Sequence, residues 1–184
     1  MMKKIAFLCA CLLLLAGCGR SLPVVKGDSL VISEERKLPA YTQIRLECGA
    51  DLVLTHGQVG NITIKASQNM APYVITEVSS GVLTVKMSPD FAYQFTKKLE
   101  ICIPVDNSLT EIAVHGSGDI SSHEQLQVKN LSCKVLGSGD MLLSLQAESL
   151  SFSVKGSGDM KIKGTTQDLS VDIAGSGDFD GDAL

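Results

Sequence analysis

The chain has 184 residues, 16 Lys and Arg against 20 Asp and Glu, a formal charge of −4 and no tryptophan. Mild acidity with only three arginines, Arg20, Arg36 and Arg45, excludes a nucleic-acid partner, because phosphate neutralisation needs clustered Lys and Arg. The length suits one domain.

At the N-terminus, Lys3 and Lys4 precede an apolar run from Ile5 to Leu15, the charged and apolar regions of a secretory signal occupying residues 1–17. The run is too short to span a bilayer. It ends in Leu15, Ala16, Gly17 and Cys18, which resembles the lipobox of bacterial lipoproteins. The resemblance implies cleavage after Gly17 and a membrane partner held through lipid on Cys18. Two or three acyl chains anchor a protein where a single chain binds only reversibly. Gly19 is not acidic, and in enteric lipoproteins that favours the outer membrane. Loss of Lys3 and Lys4 leaves 14 basic against 20 acidic residues, a formal charge of −6.

Cys9 and Cys11 leave with the signal, so the cysteines that remain beyond Cys18 are Cys48, Cys102 and Cys133. An odd number allows at most one bridge within a monomer. No Cys and His cluster has zinc spacing, and the three read as small buried hydrophobes.

Residues 18–28 comprise the lipidated cysteine and a tether without periodicity; residues 29–184 form the domain. Short segments rich in Val, Ile, Leu and Thr follow, among them TQIRLEC, DLVLTHG, NITIKAS, GVLTVKM and KLEICIP. Their alternation of apolar and polar residues predicts strands with one buried face. Turn residues separate them: Gly49, Gly57, Gly60 with Asn61, Gly81, Pro89 with Asp90, and Asp106 with Asn107. Only MAPYVITEV, from Met70 to Val78, has room for a helical turn, so the class is all-β.

From about residue 109 the tetrapeptide Gly-Ser-Gly-Asp recurs, beginning at Gly116, Gly137, Gly156 and Gly175, in steps of 21, 19 and 19 residues. A fixed step of that size signals stacked repeats. Superposing the copies aligns Leu131, Cys133 and Val135 with Leu150, Phe152 and Val154 and with Leu169, Val171 and Ile173, which predicts internal apolar columns. A coil of 19–21 residues has room for about three short strands, and parallel stacking of such coils makes a β-solenoid. Gly116, Gly118, Gly137, Gly139, Gly156, Gly158, Gly175 and Gly177 would permit positive φ and close backbone approach at a corner. Asp119, Asp140, Asp159 and Asp178 would accept backbone N–H bonds there.

The opening YTQIRLECGADLVLTHGQVGNITIKAS and ITEVSSGVLTVKM, together with the GSGD series, resemble the putative auto-transporter adhesin, head GIN domain family of bacterial envelope proteins over residues 29–184. The resemblance implies a right-handed parallel β-helix and a role in adhesion. Members of that family usually continue with further coils, whereas Leu184 follows the last motif closely, so an exposed C-terminal edge open to self-association is expected.

The Asp column can be read in two ways. Carboxylates ~4.8 Å apart repel by about 1 kcal/mol in water, and either backbone hydrogen bonds with solvent or a cation such as calcium must relieve this. One Asp per coil with poor Ser ligands favours the structural reading, with no resident metal or cofactor. His115, Ser117 and Asp119 hold the residue types of a hydrolytic triad but crowd into one turn, and Leu136, Lys155 and Ala174 replace His115 in the other copies. β-Helix polysaccharide lyases typically use calcium-bound carboxylates with a basic Arg or Lys in a cleft, whereas here no arginine follows Gly116 and the chain has no tryptophan for sugar stacking. The expected function is a non-enzymatic, lipid-anchored envelope adhesin for a glycan or protein, with envelope assembly through the C-terminal edge as the alternative.

Overall fold

The computed structural model describes residues 22–183; the signal segment, Cys18 and Gly19 lie outside the described residues. Apart from one 3-10 turn at Ala71–Tyr73, the regular structure described is strand. The first nine strands are β1 (Val24–Lys26), β2 (Val31–Lys37), β3 (Gln43–Leu46), β4 (Asp51–His56), β5 (Asn61–Ser67), β6 (Val74–Ser79), β7 (Val82–Met87), β8 (Ala92–Gln94) and β9 (Glu100–Val105). The repeat region supplies β10 (Glu111–Val114), β11 (Ile120–Gln127), β12 (Asn130–Val135), β13 (Met141–Gln146), β14 (Ser149–Val154), β15 (Met160–Thr165), β16 (Asp168–Ile173) and β17 (Phe179–Ala183).

Alternation makes these strands and chooses their buried face. In β13, Met141, Leu143 and Leu145 are buried while Leu142 and Gln146 are exposed, the period of two of a pleated strand. The inward residues join a single core, from Tyr41 and Ile44 through Leu143 and Phe152 to Ile162.

Two mixed sheets carry that core. The smaller runs β6-β7-β3-β10-β12-β14-β16 and the larger β2-β5-β9-β4-β11-β13-β15-β17. This corrects the expected right-handed parallel β-helix. Antiparallel ladders join β2 to β5, β5 to β9 and β6 to β7, and each step contributes two strands rather than three. The reason lies in how a step is filled: two strands of six residues, β12 and β13, plus the GSGD corner and a short turn at Ala147 and Glu148 leave no residues for a third.

The repeat copies pair in parallel and in register. Cys133 lies opposite Phe152, and Phe152 opposite Val171. The longer first step has a local cause. Ile120 and Ser121 pair with Met141 and Leu142, a separation of 21, but Gln125 pairs with Ser144, a separation of 19. A bulge in β11 between Ser121 and Gln125 absorbs the two extra residues. It is secured when Ser144 N–H donates to Ser122 Oγ at 2.8 Å and His56 N–H donates to Glu124 Oε1 at 2.7 Å.

Two further expectations change. Val24–Lys26, within the stretch read as tether, forms β1 and pairs in parallel with β8. Cys133 is buried, but Cys48 and Cys102 are only half-buried, and all three thiols are free. At the end away from the repeats, the Arg36 guanidinium of β2 donates to Val74 O at 2.6 Å and Ala71 O at 3.1 Å, tying β2 to the 3-10 turn and β6.

Candidate functional site

The GSGD corners lie where the chain leaves the smaller sheet for the larger, and their glycines have a steric cause. A Cβ at Gly139 would stand 2.1 Å from Gly118 O, at Gly158 2.1 Å from Gly139 O and at Gly177 2.1 Å from Gly158 O. Gly137, Gly156 and Gly175 would each place a Cβ 2.1–2.3 Å from the first glycine's carbonyl oxygen in the preceding copy. Each corner's carbonyls fill the space a side chain would need in the next. Positive φ is not the general reason, since Gly175 alone among the motif glycines has it.

The aspartates form a ladder. Asp140 N–H donates to Asp119 Oδ1 at 2.9 Å, Asp159 N–H to Asp140 Oδ1 at 2.8 Å and Asp178 N–H to Asp159 Oδ1 at 2.9 Å. In return, each Asp carbonyl accepts the N–H of the first strand residue in the preceding copy, as from Ile120 to Asp140 and Met141 to Asp159. The corner interrupts the ordinary parallel ladder, and a carboxylate one copy back satisfies the donor left over. The Asp carboxylates and the Ser117, Ser138, Ser157 and Ser176 hydroxyls are exposed in two parallel columns.

The ladder begins earlier than the motif. Asp119 N–H lies 3.4 Å from Asp51 Oδ1, and β3 and β4 pair with β10 and β11 as a preceding copy does. Cys48, Gly49, Ala50 and Asp51 therefore occupy the corner that Gly116 to Asp119 occupy above them. Ala50 serves where the motif has glycine. The signal was in the sequence: IRLECGADL aligns without a gap on IAVHGSGDI. Burial pushes the Cys48 thiol above its ordinary pKa, so it stays protonated and is a poor nucleophile.

Beside the ladder, on the outer face of the larger sheet, the β11 bulge walls a shallow cleft of about 380 Å³. Asp51, Glu100, Asp119, Asp140, His123 and Leu142 line it. Lys98 reaches Asp51 Oδ2 at 2.6 Å. The cleft is rich in acceptors, suited to hydroxyl or ammonium donors and hostile to anions. Among the described residues no three His, Cys, Asp or Glu side chains are grouped to hold a metal ion. His115 and Ser117 are exposed at the Asp119 corner.

Known proteins place this architecture. A putative adhesin from Parabacteroides distasonis is 23% identical with a TM-score of 0.62, covering 85% of this chain and 75% of that one. A putative adhesin from Bacteroides fragilis is 17% identical with a TM-score of 0.56, covering 85% and 99%. A putative cell adhesion protein from Clostridium sporogenes is 14% identical with a TM-score of 0.56, covering 83% and 99%. At these identities the likeness is one of fold. No curated protein matches the sequence. Residues 40–184 match the family described as putative auto-transporter adhesin, head GIN domain, and the chain belongs to that family.

Proposed function

We propose that the protein is a lipid-anchored adhesin of the cell envelope that binds without catalysis. Family membership over residues 40–184 supports the adhesin part of this reading. The exposed Ser and Asp columns and the carboxylate-lined cleft beside them offer a repetitive surface, from Asp51 to Asp178, for a repetitive ligand. Its chemistry narrows the ligand class. Acceptors dominate and the chain is acidic, so a neutral glycan or a basic peptide is favoured over sulfated or sialylated chains, which like charge would repel. The resemblance of Leu15 to Cys18 to a lipobox supports the anchor, and the non-acidic Gly19 supports an outer-membrane location.

An array of neutral glycans, anionic glycans and matrix proteins tests this, read with the purified protein in calcium and in chelator. Saturable binding to a neutral or basic class, unchanged by chelator and weakened in Asp119→Ala and His123→Ala, supports it. Binding confined to sulfated chains, or to no spot, refutes it.

One observation favours a second reading, assembly through the last strands. Leu169, Val171 and Ile173 of β16 continue the internal columns yet are 47%, 40% and 45% exposed. Asp168, Asp172 and Asp178 flank them, a charged edge of the kind that discourages strand-to-strand association, and this ranks assembly second. A concentration-dependent dimer abolished by Val171→Asp would reverse the ranking.

A further inference from the structure

The turns that return the chain from the larger sheet to the smaller stack as regularly as the GSGD corners, at the opposite end of the strands. Glu148 N–H and Ser149 N–H both donate to Lys129 O, at 2.9 and 3.0 Å, and Gln167 N–H and Asp168 N–H both donate to Glu148 O, at 3.2 and 3.0 Å. Val128 N–H donates to Gln146 O and Ala147 N–H to Thr165 O, each at 3.0 Å. Backbone bonding therefore fixes the step between turns at the strand separation, ~4.8 Å.

A groove of about 290 Å³ crosses these turns. Four successive turns each bring one carboxamide to it: Asn107 between β9 and β10, Gln127 and Gln146 at the ends of β11 and β13, and Gln167 between β15 and β16. Gln127 and Gln146 lie opposite each other in the strand register. All four are exposed, and none of their side chains hydrogen-bonds to a protein group among the described residues. The buried Val128 and half-buried Ala147 add a small apolar surface, and the lining charges cancel, Lys129 against Glu148.

This chemistry differs from that of the Asp face. Carboxylates offer acceptors alone, whereas each carboxamide holds two N–H donors and an acceptor oxygen in one plane. Sugar hydroxyls, which both donate and accept, match that mixture, and a lining without net charge gives no preference to sulfate, phosphate or ammonium groups. The step selects between polymers. Like-facing groups of an extended peptide recur every ~6.6 Å and fall out of phase with rungs ~4.8 Å apart, while an equatorially linked pyranose chain advances by about one rung per sugar. No aromatic ring lines the groove, so binding rests on the amides, held in place by turns that need no reordering.

We propose that the groove across Asn107, Gln127, Gln146 and Gln167 is a second binding site, which takes a neutral, equatorially linked polysaccharide lying along the stack. β13 runs from the Asp140 corner to Gln146, so about 17 Å separates this groove from the Asp ladder. The inference extends the neutral-glycan reading given above to a second face of the fold.

Calorimetric titration of the full-length protein with cellohexaose and with chitohexaose tests it, beside a Gln127→Ala/Gln146→Ala double variant and Asp119→Ala. Thermal unfolding of each variant certifies its fold. The parent should bind at least one of the two saccharides with a Kd tighter than about 1 mM. The double variant should bind at least tenfold more weakly, and Asp119→Ala as tightly as the parent. Binding of neither saccharide, equal binding by parent and double variant, or binding of a neutral Ser-Gly peptide in their place overturns the groove. Binding lost in Asp119→Ala and kept in the double variant also overturns it, while leaving the Asp face as the glycan site.

Discussion

Replacing Asp140 separates the two roles a carboxylate column can play. Asp140 Oδ1 accepts the Asp159 N–H at 2.8 Å, and a bond to an ionised acceptor contributes about 1.5–3 kcal/mol. Because Asp140 is exposed, water replaces part of that bond, and the lower figure applies. Against it stands repulsion from Asp119 and Asp159, one strand spacing, ~4.8 Å, to either side. Each costs about 0.9 kcal/mol in bulk water, and roughly half that at physiological salt. Asp140→Ala therefore loses about 1.5 kcal/mol, regains about 1 from relieved repulsion, and ends about 0.5 less stable. Asp140→Asn keeps an oxygen acceptor worth about 1 kcal/mol and regains the same repulsion, ending about 0.5 more stable. The gap of about 1 kcal/mol between the variants corresponds to roughly 2–4 °C in Tm for a domain of this size. Thermal unfolding followed by circular dichroism, at low and high sodium chloride and with calcium or chelator, reads the order. The parent should gain from salt more than the Asn variant does. An Asn variant less stable than the Ala variant, or a calcium-dependent rise in the parent's Tm that Asn abolishes, would refute the ladder and favour a bound cation.

Three further outcomes follow from the geometry. Gly139→Ala, whose Cβ would meet Gly118 O at 2.1 Å, should cost at least 2–3 kcal/mol in denaturant unfolding, whereas Gly116→Ala, with its nearest atom at 3.2 Å, should cost less than about 1. Burial pushes the Cys133 thiol far above its ordinary pKa, so iodoacetamide at pH 8 should leave Cys133 unmodified in the native protein and alkylate it in urea; rapid native labelling would contradict the packing. The Asp106 carboxyl, which accepts the Ser108 hydroxyl and N–H, is held below the usual carboxylate range by those bonds. Its folded pKa is lowered, so its contribution is present above the unfolded pKa and lost as pH falls through the folded one. Asp106→Ala should thus flatten the acid limb of the stability curve, and an unchanged limb would count against the bonds.

Much of the strand pattern was legible because alternation is local. Burial of every second residue in β5, β9, β12 and β14 needs only the pleat, and the turn residues mark where each strand ends. The number of strands per step and the antiparallel end were not legible in the same way. Alternation records which residues face inward but not which wall they face, so Leu131 to Val135 and Met141 to Leu145 read alike although they belong to different sheets. Likewise Val24 to Lys26 is too short and too exposed to carry a period, and only its pairing with β8 makes it a strand.

The site was half visible. The four GSGD corners announce themselves because backbone packs on backbone there, and the steric demand that excludes Cβ at Gly139, Gly158 and Gly177 is identical in each copy. Asp51 escaped notice because its corner is at the start of the ladder. With a different segment beneath it, Ala50 is tolerated where later copies need glycine, and the tetrapeptide is no longer recognisable as such. What persists from Asp51 to Asp178 is the aspartate, since each later rung needs an acceptor for its N–H from the rung before, whatever stands at the glycine positions. The irregular step of 21 residues carries the complementary lesson. Its two surplus residues are confined to the β11 bulge, which leaves the ladder in register and places His123 beside Asp119 and Asp140. A departure from the period therefore marks a place where the stack can add side-chain chemistry without disturbing the corners that hold it together.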